Sequence, residues 1–179
     1  MDFTIRPRTA RDLPALAELL ERQQPVSRYP AVWPFPGGVE SFLVRTTERG
    51  SWVAELADGT LAGHVSITLV DDDGLGRHWA DALDAEIDDL RCVSALFTDP
   101  DLAGAGIGSA LLDHATQRAS ADGGRPVLDV VAASERPVAL YQRRGWRIIA
   151  TVQAHWHPGL ELPIHLMVLP GTGHRPTTA

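Results

Sequence analysis

The sequence predicts an α/β fold, because strand-like and helix-like segments alternate along the chain. Apolar and polar residues alternate over Phe3–Ile5, as in a half-buried strand. One face of a helix would carry Leu13, Leu16, Ala17 and Leu20. Asp58 and Gly59 separate two apolar runs, which is typical of a β-hairpin. A further strand ends at Thr98, and a glycine-rich turn and a helix follow it.

The remaining elements follow from turn and cap residues. Thr9 and Asp12 have the spacing of a capping box before the first helix, which we expect to end before Pro25. Four prolines exclude a regular helix over Pro25–Gly38. The other predicted elements are a helix over Val39–Thr47, strands over Ser51–Leu56 and Leu61–Val70, a loop over Asp71–Glu86 with one helical turn at Asp81–Leu83, a strand within Ile87–Thr98, a helix over Gly106–Ala121, a strand over Pro126–Ala132, a helix over Ser134–Arg144, and strands over Trp146–Thr151 and Ile164–Leu169. We expect one domain over residues 1–170 and a flexible tail over 171–179.

Composition limits the classes of function. The 179 residues carry a formal charge of −7, which argues against a general nucleic-acid binder and favours cationic partners such as amines. All 16 basic residues are arginines, so no lysine is present for self-acylation. The single Cys92 excludes an intramolecular disulfide, and no apolar run is as long as a membrane span. The start of the chain lacks the pattern of a signal peptide, and we expect a cytoplasmic protein that binds neither nucleic acid nor membranes.

The segment from Leu96 to Leu112 carries the most informative pattern. Glycines stand at positions 104, 106 and 108, between a strand and the helix that follows. The first N–H groups of a helix have no acceptor within it, and the helix dipole adds positive charge there. Glycines also let a phosphate approach the backbone closely. Such a turn can bind a pyrophosphate without any lysine.

Other interpretations of this turn remain open from the residues alone. The glycines could form only a turn. A dinucleotide-binding turn would follow its strand directly, and Ser109 stands where its last glycine would be, although Asp129 lies at a suitable distance downstream. A kinase-type phosphate loop would need a Gly-Lys pair that is absent.

A second motif lies about 30 residues further on, from Ser134 to Trp146, with Tyr141 and Gly145 near its end. Together the two motifs resemble those of the GCN5-related N-acetyltransferase (GNAT) superfamily, over roughly Thr4 to Leu169. The resemblance implies a mixed, mostly antiparallel sheet that splays open at a bulge in the fourth strand, with helices on both faces. It also implies acetyl-CoA as the cofactor.

The resemblance assigns the cofactor-binding residues. The backbone of the fourth strand would pair with the pantetheine arm, the glycine turn would bind the pyrophosphate, and the second motif would complete the site. These residues are Leu96, Phe97, Thr98, Ala103, Gly104, Ala105, Gly106, Ile107, Gly108, Ser109, Ser134 and Tyr141. Arg143 and Arg144, at the end of the predicted Tyr141 helix, could reach the 3′-phosphate of the cofactor or only favour the helix C-terminus. The sequence departs from the family pattern at Ala103, which is usually Gln or Arg, at Ser134, which is usually Asn, and at Pro137, which is usually Ala. Cys92 stands where many relatives with protein substrates have a glutamate base.

Two catalytic candidates, Leu96 and Tyr141, also follow from the resemblance. The Leu96 N–H would stabilise the oxyanion that develops at the thioester carbonyl. The Tyr141 hydroxyl, with a pKa near ~10, would protonate the departing thiolate; a core tyrosine is the alternative. Asp89, with its neighbour Asp88, could act as a base through water, and His64 could act directly. Each of these acids and bases also suits a surface or structural role.

The acceptor-side candidates are aromatic. Tyr29, Trp33 and Phe35 lie in the proline-rich loop, where they could contact a substrate or pack beneath the loop. His155 lies in the predicted connection before the last strand, and we expect no metal site there.

The sequence therefore predicts transfer of an acetyl group from acetyl-CoA to an amine by direct attack. The acceptor would be a small molecule or a peptide N-terminus. The alternative is a CoA-binding sensor without turnover. Relatives are commonly dimers, so the resemblance also allows a homodimer.

Overall fold

The computed structural model describes residues 2–121, 123–157 and 160–171, apart from the side chains of residues 155–157 and 160. Within these residues the strands are β1 (Phe3–Pro7), β2 (Glu48–Leu56), β3 (Leu61–Thr68), β4 (Leu90–Thr98), β5 (Arg125–Val131), β6 (Arg147–His157) and β7 (Leu160–Val168). The α helices are α1 (Leu13–Ser27), α2 (Val39–Leu43), α3 (Gly74–Leu83), α4 (Ile107–Ala121) and α5 (Glu135–Arg143).

The strands form a mixed sheet in the order β1-β2-β3-β4-β5-β7-β6, which confirms the predicted fold class. β4 pairs in parallel with β5 over only three residues, Leu90–Cys92. The pairs β1·β2, β2·β3, β5·β7 and β6·β7 are antiparallel. The short parallel pairing at the start of β4 agrees with a sheet that splays at this strand.

Contacts within the chain divide it into two compact units. The first contains the described residues up to Thr68 together with Val93–Ala115, and the second contains Leu69–Cys92 and the described residues from Thr116 onwards. One domain over residues 1–170 therefore stays a prediction.

The first unit holds β1, β2, β3, the end of β4, α1, α2 and the start of α4. Leucines of α1 pack with α2 and the strands in a core that contains Leu16, Leu20, Leu43, Val53 and Phe97, all buried. In the second unit Trp79 of α3 packs against Leu90, Val127, Ile164 and Leu166 of its strands.

The first helix is longer than predicted. The carboxylate of Asp12 accepts the backbone N–H of Thr9 at 2.7 Å, as expected of the capping box. The helix then passes through Pro25 and ends at Ser27, and the C-cap residue Arg28 has φ of +58°. Pro25 is exposed and lies in the last turn, so it removes a single helical hydrogen bond near an end that frays in any case. The second helix is shorter than predicted and ends at Leu43.

The predicted loop over Asp71–Glu86 was wrong, because it contains the ten-residue helix α3. The side chain of Asp73 caps this helix by accepting the N–H groups of Leu75 and Gly76 at 3.0 and 2.9 Å. The last two strands are also longer than predicted, so His155 lies within β6 and not in a connection. The side chain of His155, and the predicted tail beyond Gly171, lie outside the described residues.

Candidate active site

A left-handed residue interrupts β4 immediately before Leu96. Ala95 has φ of +48°, a conformation that costs an L-residue about 1–2 kcal/mol. Two side chains of β3 hold this irregularity: His64 Nδ1 lies 2.8 Å from the Ala95 carbonyl oxygen, and Ser66 Oγ donates to the Ser94 carbonyl oxygen at 3.1 Å. β4 therefore has the bulge that the sequence led us to expect, and Leu96, Phe97 and Thr98 follow it directly.

The turn after β4 is fixed by the buried carboxylate of Asp99. Its Oδ1 accepts the backbone N–H of Asp101 at 3.0 Å, and its Oδ2 accepts Nη2 of Arg22 from α1 at 2.5 Å. The backbone N–H of Asp99 in turn donates to the carbonyl oxygen of Ala62 at 2.9 Å. The loop that leads into α4 is thus tied to both α1 and β3.

The glycine turn itself is open to solvent. Gly104 and Gly106 have φ of +85° and +83°, and a Cβ built on either would meet no atom within 4 Å. The backbone conformation therefore explains the glycines, and crowding does not. The residues from Ala103 to Gly106 are exposed, while Ile107 is buried and anchors the start of α4. This open turn at a helix N-terminus suits a pyrophosphate.

Gly63 of β3 is a residue of this region that the sequence did not single out. A Cβ here would lie 2.9 Å from the Phe97 carbonyl oxygen and 2.9 Å from Leu111 Cδ1. The missing side chain thus allows β3 to lie close to the end of β4 and to α4. Only the spatial arrangement reveals this requirement, since Gly63 sits within an ordinary apolar strand pattern.

His64 is fully buried, and both of its ring nitrogens are engaged. With a proton on Nδ1, the ring donates to Ala95, and Nε2 accepts from Arg8 Nη1 at 3.2 Å. Burial, and next the positive charges of Arg8 and Arg45, lower the pKa of His64 to about 3. The expectation that His64 acts as a direct base does not fit this geometry, because neither nitrogen is left to take a substrate proton.

Arg8 connects this histidine to a buried ion pair. Its side chain is 8% exposed, and its Nη2 donates to the two carboxylate oxygens of Glu48 at 2.8 and 3.0 Å. Arg8 Nη1 also donates to the carbonyl oxygen of Leu43, and Ser51 Oγ donates to Glu48 at 2.9 Å. Sequence spacing gives no sign of this network, because Arg8 and Glu48 are 40 residues apart.

The aromatic residues of the proline-rich loop pack on the core of the first unit. Tyr29 and Phe35 meet the ring of Phe42 edge-on, at centroid distances of 5.6 and 5.1 Å, and Trp33 packs on the same cluster. All three keep part of their surface exposed. They can therefore both hold the loop and contact a ligand.

The other candidates belong to the second unit. Tyr141 of α5 is 9% exposed, and its ring lies 6.3 Å from that of Trp146. Ser134 occupies the N-cap position of α5, and Arg143 and Arg144 are exposed at its end. Asp89 lies in a 3-10 turn before β4, where it is exposed.

Two kinds of feature are absent from the described residues. No three His, Cys, Asp or Glu side chains are grouped there so as to hold a metal ion. None of the helices in that part of the chain combines the length and the apolar character that crossing a bilayer requires.

A mixed sheet with a bulged fourth strand, a glycine turn and a helix that begins at this turn is the arrangement that the GNAT resemblance implies. The model of the Acetyltransferase (GNAT) family matches residues 13–146, and the chain belongs to this family. The cofactor that this family uses is acetyl-CoA. No curated protein matches the chain by sequence.

Solved structures share the fold across almost the whole chain. The ribosomal-protein-S18-alanine N-acetyltransferase from Escherichia coli is 19% identical, with a TM-score of 0.70 and 99% of each chain covered. NAA60 from Arabidopsis thaliana in complex with acetyl-CoA is 18% identical, with a TM-score of 0.70 and 93% of this chain and 98% of that chain covered. A putative phosphinothricin N-acetyltransferase is also 18% identical, with a TM-score of 0.69 and 93% of this chain and 97% of that chain covered.

Proposed function

We propose that this protein transfers the acetyl group of acetyl-CoA to an amine by direct attack, without a covalent enzyme intermediate. The observation that carries the proposal is the open turn at Gly104 and Gly106, which follows the bulged β4 and begins α4. An exposed turn with left-handed glycines at a helix N-terminus suits the negative charge of a pyrophosphate.

The residues that would hold the cofactor are those of the turn and of β4. Residues Ala103 to Ser109 would bind the phosphates, and the backbone of Leu96 to Thr98 would pair with the pantetheine arm. Ser134, Arg143 and Arg144 are proposed to add contacts from α5. When bound, acetyl-CoA supplies the acetyl thioester.

The proposed chemistry follows the roles that the family implies. The amine nitrogen bonds to the acetyl carbonyl carbon, the carbon–sulfur bond breaks, and CoA leaves as a thiol. The Leu96 N–H donates to the carbonyl oxygen as negative charge develops there. The hydroxyl of Tyr141 protonates the departing sulfur, and the exposed carboxylate of Asp89 takes the amine proton through water.

The buried state of His64 changes its proposed role. Its hydrogen bond to Ala95 fixes the residue before Leu96, so we propose His64 as a positioning residue. Tyr29, Trp33, Phe35 and His155 are proposed to contact the acceptor. The acceptor is a small-molecule amine or a peptide N-terminus. A cytoplasmic location and a homodimer are further proposals, which rest on the composition and on the family resemblance.

The test is release of free CoA, measured with a thiol reagent, when the protein is given acetyl-CoA and a panel of amines. Turnover on at least one amine is expected. Calorimetry with acetyl-CoA is run beside it, because binding without turnover on any amine would instead indicate a CoA-binding sensor. If the protein showed neither binding of acetyl-CoA nor turnover, both functions would be refuted.

A further inference from the structure

Arg45 follows α2 in the first unit, and one edge of its guanidinium, formed by Nε and Nη2, lacks an acceptor. Its Nε and Nη2 atoms are both buried, and neither has a hydrogen-bond partner. Its Cζ lies 5.4 Å from the centroid of the Phe42 ring. Among the described residues, no carboxylate forms an ion pair with Arg45. A buried charge without an acceptor opposes folding, so these two N–H groups call for an explanation.

The neighbouring groups of the protein are already committed to other partners. Glu48 accepts Arg8 on both carboxylate oxygens and Ser51 on one of them. Burial, with a smaller contribution from the positive charges of Arg8 and Arg45, keeps the pKa of His64 well below its ordinary value, and the ring is neutral. The cluster of Arg8, Arg45, Glu48 and His64 therefore has one positive charge in excess, which is that of Arg45.

The two atoms without partners define the shape of the missing acceptor. Nη2 is the terminal nitrogen on the same edge of the guanidinium as the Nε hydrogen. The pair therefore presents two nearly parallel N–H groups, which is the arrangement that a carboxylate accepts with both of its oxygens. Contact with the Phe42 ring stabilises the cation through its face, but it provides no acceptor for this edge.

The surroundings of Arg45 are those of the proposed acceptor site. Phe42 lies beneath Arg45 and is also the ring that Tyr29 and Phe35 contact. The positive charge of Arg45 contributes to lowering the pKa of His64. His64 in turn forms a hydrogen bond with the carbonyl oxygen of Ala95, the residue before Leu96. A ligand on Arg45 would thus be held within the unit that contains the bulge of β4.

Neither atom touches solvent, although the residue as a whole is partly exposed. We propose that the Arg45 side chain shifts to bind a carboxylate of the substrate through Nε and Nη2. This inference rests on the proposed acetyl transfer and names the substrate class. The carboxylate belongs either to the acceptor, as in an amino acid, or to the far end of the acyl group, as in succinyl-CoA.

The experiment compares matched substrates on wild type, Arg45→Gln and Arg49→Gln. Arg49 is exposed in β2, so its replacement removes the same charge four residues away. With acetyl-CoA as donor, the acceptors are L-phenylalanine and L-methionine and the C-terminal amide of each. An amino acid and its amide differ in the basicity of the amine. The kcat/KM of each substrate is therefore compared between variants, so that this difference cancels. A second series uses succinyl-CoA or acetyl-CoA with phenethylamine.

If the acceptor supplies the carboxylate, kcat/KM of Arg45→Gln falls about tenfold to a hundredfold for the amino acids and little for the amides. If the acyl group supplies it, the loss is confined to succinyl-CoA. Arg49→Gln should match wild type in both series. Equal kcat/KM in wild type and Arg45→Gln for every substrate would overturn the proposal, as would an equal loss for acids and amides.

Two further measurements keep the proposal testable apart from turnover. N-acetyl-L-phenylalanine should raise the melting temperature of wild type more than its amide does, and Arg45→Gln should abolish this difference; succinate takes the place of this probe if the acyl group carries the carboxylate. If acetyl transfer fails on every amine while these shifts persist, the proposed function is wrong and the carboxylate site stands. Arg45→Gln breaks no ion pair and removes only the contact with the Phe42 ring, so it should lower the melting temperature less than Arg8→Gln, which leaves Glu48 without its ion-pair partner. No difference between an acid and its amide, and none for succinate, would refute the site.

Discussion

His64 Nδ1 donates a hydrogen bond of 2.8 Å to the carbonyl oxygen of Ala95, so a side chain of β3 fixes the left-handed residue of β4. The bond connects the fully buried imidazole to the backbone immediately before Leu96. The ring stays neutral because it is buried and because Nε2 faces the guanidinium of Arg8.

The first prediction concerns the pH dependence of stability. The pKa of His64 is about 3 in the folded chain and near ~6.5 when unfolded, so only the unfolded state gains this proton between those values. The free energy of unfolding should therefore fall as pH decreases below 6.5, by up to about 1.4 kcal/mol per pH unit from this group. His64→Asn keeps an amide nitrogen near Nδ1 and cannot titrate, so it should lose this contribution.

Urea unfolding between pH 6.5 and 4.5 checks this prediction. Asp12 and Glu55, whose pKa values are lowered chiefly by hydrogen bonds from Arg6, also begin to cost stability toward the acid end of this window. They do so equally in wild type and His64→Asn, so the difference between the two slopes reports His64. The same slope in wild type and His64→Asn would show that His64 takes up its proton in the folded state.

The second prediction concerns the glycine turn. Gly106→Asp adds a side chain and a negative charge where the pyrophosphate is proposed to bind, so acetyl-CoA affinity should fall at least about tenfold. Gly59→Asp is the matched control, because Gly59 has φ of +87° and equally open surroundings in the hairpin turn. Calorimetry should find unchanged affinity in the control. Equal affinities in the two variants would remove this turn from the cofactor site.

The third prediction concerns Ala103, which stands where the family usually has Gln or Arg. The residue is exposed at the end of the 3-10 turn, so a longer side chain can be accommodated. Ala103→Arg should tighten acetyl-CoA binding by about 1 kcal/mol, since a charge-assisted hydrogen bond exceeds the cost of ordering the side chain. Ala121→Arg adds the same charge at the other end of α4 and should have no effect. Weaker or unchanged affinity in a folded Ala103→Arg would show that this position does not face the phosphates.

The fourth prediction concerns Tyr141. Tyr141→Phe removes one oxygen and keeps the ring that packs near Trp146, so folding and acetyl-CoA affinity should change little. Loss of a general acid should lower kcat at least about tenfold. The deficit should be largest at high pH, where amine attack is fast and departure of the thiolate limits the rate. Full kcat at all pH values would exclude Tyr141 from the mechanism.

Local patterns predicted the helix after the glycine turn and the helix that carries Tyr141, because both depend on residues close together in the chain. Helix α3 was missed because a polar, glycine-containing composition outweighed the Asp73 cap and the apolar positions of Leu75, Trp79 and Leu83. The last strands were predicted too short because polar residues alternate along an exposed edge.

The polar network around the site could not be predicted from spacing. Arg22 and Asp99 are 77 residues apart, and His64 and Ala95 are 31 apart. Such pairs depend on which strands become neighbours, and a single sequence does not contain that information. His64 appeared as a candidate base for the same reason, because its burial is a property of the fold.

Each of the two compact units combines two separate stretches of sequence. The chain passes from one unit to the other after Thr68, after Cys92 and after Ala115. Consequently, no uninterrupted fragment of this chain contains one unit and omits the other. A protease cut near Cys92 would divide both units at once. It would separate the end of β4 and the glycine turn from the rest of the first unit, and it would separate α3 from β5, β6 and β7 of the second unit. Dissecting the protein into its halves would therefore require a rearranged gene, in which the two stretches of one unit are joined by a new linker.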